Sequence, residues 1–92
     1  MGTTFEWDPA KDEANRRKHG LSFREAISAF MDPLSITILD PDHSVDEERF
    51  LLLGENHMGH LLVVSHTDRQ DRIRIISVRK ADRRERRQYE QG

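Results

Sequence analysis

The apolar residues change their period once along the chain. Across 22–31, Phe23, Ala26, Ile27 and Phe30 recur at i, i+3, i+4 and i+7, one face of a helix, and Ser22 with Glu25 supplies a capping box at its start. Asp32-Pro33 ends this helix, because the residue before a proline is pushed out of the helical region. From residue 35 onward the period is that of strands. "SITIL" alternates, "RFLLLG" and "HLLVVSH" are apolar blocks, and "RIRIISV" mixes both habits. The segments between them, 40–47, 54–60 and 67–71, are short, polar and carry Asp, Asn or Gly, which favours hairpins and antiparallel pairing. "LLVV" is apolar on both faces and reads as the central strand.

Ahead of these elements, "FEW" at 5–7 predicts a short opening strand. "DPAKDEANRRKHG" predicts a helix with Asp8 as N-cap, Pro9 at its first position and Gly20 as its stop. Acids gather at its start and bases at its end, as the helix dipole favours. Its apolar residues are only Ala10 and Ala14, so it is expected on the surface. Residues 80–91 are helix formers whose most apolar stripe is Ala81, Glu85 and Tyr89, too polar to bury much. The order β-α-α-β-β-β-β-α predicts an α+β fold, a mainly antiparallel sheet packed with helices, in one domain spanning 1–92.

Composition narrows the function classes. The chain has 35% hydrophobic and 35% charged residues and no cysteine, which excludes disulfides, thiolate metal sites and a cysteine nucleophile and fits a cytoplasmic setting. The longest apolar run, 61–65, is far too short to span a bilayer, and the start of the sequence lacks a basic region before an apolar stretch. Glu6 stands where N-myristoylation needs Ser or Thr. Neither a membrane nor a cofactor is expected. The formal charge of −2 hides an asymmetry: residues 1–50 hold six Lys/Arg against eleven Asp/Glu, and residues 51–92 hold nine against six. A basic second half points to a polyanionic partner.

The basic residues concentrate in "RIRIISVRKADRRERRQYE". Strict alternation places Arg72 and Arg74 on one face with Ile76 and Val78, and Ile73 and Ile75 on the other with Ser77 and Arg79. The apolar phase slips at Ile75-Ile76, so either both faces are covered there or a bulge re-aims an arginine. Guanidinium forks grip phosphate oxygens in two places and stay charged, which suits a phosphate-binding surface. The alternative is a solvated face on which the arginines pair with Asp68, Asp71 or Glu48. In "RKADRRERR" the choice lies between a helix that tracks a nucleic-acid backbone and a solubilising helix with internal pairs such as Asp82–Arg86. His19 either helps cap its helix or serves as a general acid or base. His57, His60 and His66 lack the spacing and companions of a zinc site. In "DPDHSVDEER", His43 and Ser44 read as a turn, with Asp46, Glu47 and Glu48 as counter-charges to the basic strand.

Taken together, "FEWDP.K...N..KHG.SF.EA" at 5–26, "HS..EER" at 43–49 and "R...IRIISVRKA...ER..YE" at 69–90 resemble the BrnT family of bacterial toxins in order and spacing over nearly the whole chain. The resemblance implies a RelE-like fold and a metal-independent ribonuclease that stalls growth by cutting RNA. It implies neutralisation by a BrnA-type antitoxin with a ribbon-helix-helix region, the complex contacting operator DNA through that antitoxin. Matched by position, it points to His19, Glu48, Arg74 and Arg79 as catalytic residues and to Lys18, Arg49, Arg69 and Ser77 as substrate-binding ones. The chain departs from the family at His60, where arginine is common, at His66, where tyrosine is common, and at Val78 within the ISAR pattern. A non-catalytic nucleic-acid-binding module or a protein-interaction domain would use the same basic surface.

Overall fold

The computed structural model describes residues 3–44 and 47–92. Among these residues five strands form one sheet: β1 (Thr4–Glu6), β2 (Ile36–Leu39), β3 (Phe50–Glu55), β4 (Leu61–Arg69) and β5 (Arg72–Lys80), in the order β1-β5-β4-β3-β2. Strands β2 to β5 are an antiparallel meander, as the polar connections predict. β1 corrects the expectation of a mainly antiparallel sheet. It lies parallel to β5, with Phe5 beside Ile73, and makes the sheet mixed. The "LLVV" strand is central, as its two apolar faces require: Leu61, Leu62, Val63 and Val64 are all buried.

Among the described residues three α-helices accompany the sheet: α1 (Pro9–His19), α2 (Phe23–Ala26) and α3 (Arg83–Gln91). The predicted caps hold. Asp8 accepts from the Ala10 amide, Gly20 ends α1 at φ 71° in the left-handed region, and Ser22 and Glu25 form their reciprocal box. Beyond Ala26 the second helix tightens into a 3-10 turn, Ile27–Met31, that stops at Asp32. The 3-10 turn packs close to β3. A Cβ on Gly54 would stand 2.7 Å from the Ala29 carbonyl oxygen, so only glycine allows this approach.

α1 packs through a residue other than those its apolar pattern named. Ala10 and Ala14 are exposed, whereas Asn15 is buried. β1 covers only Arg72 to Arg74 of the outer edge of β5, leaving backbone groups farther along without a strand partner. Asn15 substitutes for that strand: its Oδ1 accepts from the Val78 amide at 3.0 Å, and its Nδ2 donates to the Val78 and Leu21 carbonyls at 2.9 Å. A buried edge is thereby paired.

The larger core lies on one face of the sheet, where Phe23, Ala26 and Ala29 pack on Leu52, Leu62, Val64, Ile75 and Val78. A smaller cluster of Leu53, Leu61 and Val63 on the other face is met by Ala81 and Tyr89, so the stripe read for α3 does point inward. Tyr89 donates to Asp32, which also accepts from the Leu34 and Glu55 amides and so joins α3 to the ends of the 3-10 turn and β3. Burial raises the Asp32 pKa, but these three hydrogen bonds outweigh it and hold the carboxyl below its ordinary value. The same bond pushes the Tyr89 hydroxyl up to about 12.

Candidate functional site

The phase slip at Ile75-Ile76 is a β-bulge. Ser65 pairs with Ser77 and His66 with Ile75, so Ile76 has no partner of its own on β4. The extra residue flips the alternation and corrects the sequence-based division of the arginines. Arg72, Arg74, Ser77 and Arg79 stand opposite Arg69, Thr67, Ser65 and Val63, positions that all share one face of β4. This face is opposite the large core, and we call it the open face. One inserted residue thus lets β5 bury Ile75 and Val78 together while keeping its arginines on the other side.

These groups form two clusters. At the β4–β5 turn, Glu6 of β1 accepts a hydrogen bond from Arg74 and forms an ion pair with Arg72, each at 3.1 Å, so two guanidinium groups share one carboxylate. Arg69 pairs with Glu47 at 3.3 Å. Glu48 is exposed, and its carbonyl accepts from the Thr67 hydroxyl at 2.7 Å, which places its backbone beside the strand position facing Arg74. Arg49 is fixed through its backbone: its amide donates to Ser44 Oγ and its carbonyl accepts from the Asp40 amide. Next to it, buried Asp40 holds His43 Nδ1 at 2.9 Å and fixes the orientation of an exposed imidazole. Of the acids expected as counter-charges, Glu47 serves Arg69, and Asp46 lies outside the described residues. The other partner proves to be Glu6, and Asp68, Asp71 and Glu48 take no arginine among the described residues.

The second cluster lies toward α3. The β4 partners of Arg74 and Arg79, Thr67 and Val63, are four positions apart, ~13 Å along the strand. Arg79 meets Glu85 through two parallel hydrogen bonds of 2.8 Å. Their mutual hydrogen bonds raise the guanidinium pKa and lower the carboxyl. Glu85 also closes the α3 capping box with Asp82, which therefore acts as a cap and makes no ion pair with Arg86. Ser77 is exposed between the two clusters. Lys18 and His19 are exposed at the basic last turn of α1, one helical turn beyond the Asn15 that grips Val78, so α1 ends beside this half of β5. Among the described residues, neither makes a hydrogen bond or ion pair with the arginines.

His57 Nδ1 lies 3.0 Å from Ser28 Oγ. His66 is buried between Phe30 and Phe50, and burial lowers its pKa. Sequence reasoning missed Glu6, Glu85, Asn15 and the Asp40–His43 pair. Only Glu85 carried a local signal, a D-x-x-E capping box at 82–85.

A family model described as "Ribonuclease toxin, BrnT, of type II toxin-antitoxin system" matches residues 7–85. Among solved structures, the chain is similar to the crystal structure of the Brucella abortus ribonuclease toxin BrnT, at 23% identity and a TM-score of 0.67, over 89% of this chain and 100% of that one. No curated protein matches its sequence. The family match begins at Trp7, just after Glu6, takes in the arginines of both clusters and ends at Glu85, the partner of Arg79. By that match, this chain belongs to the BrnT family of ribonuclease toxins of type II toxin–antitoxin systems.

Proposed function

We propose that the open face binds RNA and that the chain cuts it as a RelE-like ribonuclease without a metal ion. The ribose 2′-oxygen bonds to the adjacent phosphorus while the 5′-oxygen leaves. A base takes the 2′ proton, an acid supplies one to the leaving oxygen, and cations stabilise the phosphorane. The observation that carries this reading is the Ile76 bulge, which gathers Arg69, Arg72, Arg74, Ser77 and Arg79 onto one face. Arg69, Arg74 and Arg79 stabilise the phosphorane, Lys18, Arg49 and Ser77 position the strand, and His19 with Glu48 handles protons. His43, oriented by Asp40 beside Arg49, is a second candidate for the imidazole role. The carboxylate partners do not preclude phosphate binding: Glu6 divided between two arginines leaves one positive charge over, and the exposed Arg69–Glu47 pair contributes only ~0–1 kcal/mol. The neutralising partner is a BrnA-type, ribbon-helix-helix antitoxin that contacts operator DNA, and the setting is the cytoplasm.

Incubation of the purified chain with RNA in EDTA, followed by end-group analysis, tests this. It should yield 2′,3′-cyclic phosphate and 5′-hydroxyl ends, and a requirement for magnesium would refute the mechanism. A non-catalytic nucleic-acid-binding module is the second reading, favoured by the absence of any imidazole contact to the arginines among the described residues. It predicts intact RNA bound with steep salt dependence.

A further inference from the structure

The open face has an apolar half. Beside the arginines, α3 and the sheet enclose a groove of about 390 Å³, with Ile36, Ile38, Leu51, Leu53 and Val63 on its floor and Gln88 and Gln91 on its α3 wall. Strand register makes this floor continuous with the second cluster. One cross-strand row runs Ile36, Leu53, Val63, Arg79 and the next runs Ile38, Leu51, Ser65, Ser77. Ile38 is 56% exposed and, nearby in sequence, Leu34 is 68% exposed, on a chain with little apolar surface to spare. On α3, Arg84 shares a stripe with Gln88 and Gln91 at i, i+4 and i+7, and Arg87 is one turn before Gln91. None of Arg83, Arg84, Arg86 and Arg87 is in an ion pair among the described residues.

We infer that this groove is the docking site for an amphipathic, acid-flanked segment of the antitoxin. Aliphatic side chains of that segment cover the floor, and its carboxylates meet Arg84 and Arg87. RNA fits this surface poorly, since single-stranded bases seek aromatic or planar platforms and the floor offers branched aliphatic chains. The register then explains neutralisation: a segment seated in the groove lies over the rows that end at Ser77 and Arg79, and closes the RNA face from its apolar side. This step rests on the toxin reading of the chain, whereas the docking itself requires no cleavage.

The test is titration of the purified chain with its cognate antitoxin, alongside cleavage by the free chain. Ile38→Glu should weaken antitoxin binding ~30-fold or more and leave RNA cleavage unchanged. The exposed pair of changes Arg84→Glu and Arg87→Glu leaves the core intact, and should weaken binding at least ~10-fold while flattening its salt dependence. Wild-type antitoxin affinity in both variants would overturn the proposal. So would an Ile38→Glu chain that melts like wild type but no longer binds RNA, since the groove would then belong to RNA. If wild type fails to cut RNA while both variants lose the antitoxin, the ribonuclease reading falls and the docking site stands.

Discussion

The two faces of the sheet are made by the same strands and do different work. On the covered face, Phe23, Ala26 and Ala29 close over Leu52, Leu62, Val64, Ile75 and Val78, and even His66 is held between aromatic rings. On the open face a small apolar cluster under α3 gives way to serines and then to arginines paired with part-buried carboxylates, Glu6 being shared by two of them. The bulge at Ile76 is what separates them. Without it, strict alternation would put Arg79 on the face of Ile75, and one of the two would be in the wrong environment. The fold therefore concentrates its stability on one side and leaves the other with a surface whose charges are cheap to rearrange.

Truncation should expose that division most strongly on the covered face. Phe23 is fully buried, and Phe23→Ala should lower unfolding stability by ~3–5 kcal/mol, a large share of what a domain of this size holds. Denaturant titration would read this as a fall in midpoint. A loss below 1 kcal/mol would mean that the α2 layer is not where the core lies.

Acid titration should separate the faces more gently. The His66 pKa is depressed in the fold, so the unfolded chain takes up its proton first, and stability falls as pH drops below about 6.5 toward the folded value. Glu85, also depressed but by its bond to Arg79, loses its contribution only as pH falls from 4.5 toward its own folded value. Melting temperature against pH should therefore decline in two stages, and His66→Phe should remove the first. A single decline below pH 5 in wild type would show that burial of His66 is not what the covered face depends on.

Much of this arrangement was legible in local chemistry. The caps at Asp8, Ser22 and Gly20, the stop at Asp32-Pro33, and the central "LLVV" strand follow from interactions within a few residues or from burial on two faces. The Ile75-Ile76 slip announced a bulge, but which arginines it united depended on the β4 register. Long-range pairings left no such trace. β1 is three residues long, and nothing near Glu6 tells that it lies parallel to β5 with a carboxylate between two arginines. Asn15 escaped because periodicity searches for apolar faces, and α1 packs through an amide that replaces a missing strand.

The central claim is that Arg74 and Arg79 act on RNA from one face while contributing little to the fold. Single-turnover cleavage by Arg74→Ala and Arg79→Ala, measured beside their melting temperatures, tests it most directly. The account predicts rates 10²–10³-fold lower for at least Arg74→Ala, on the order of the loss of one transition-state donor, with melting changed by only a few degrees. Wild-type rates in both variants, or losses that merely track unfolding, would contradict it.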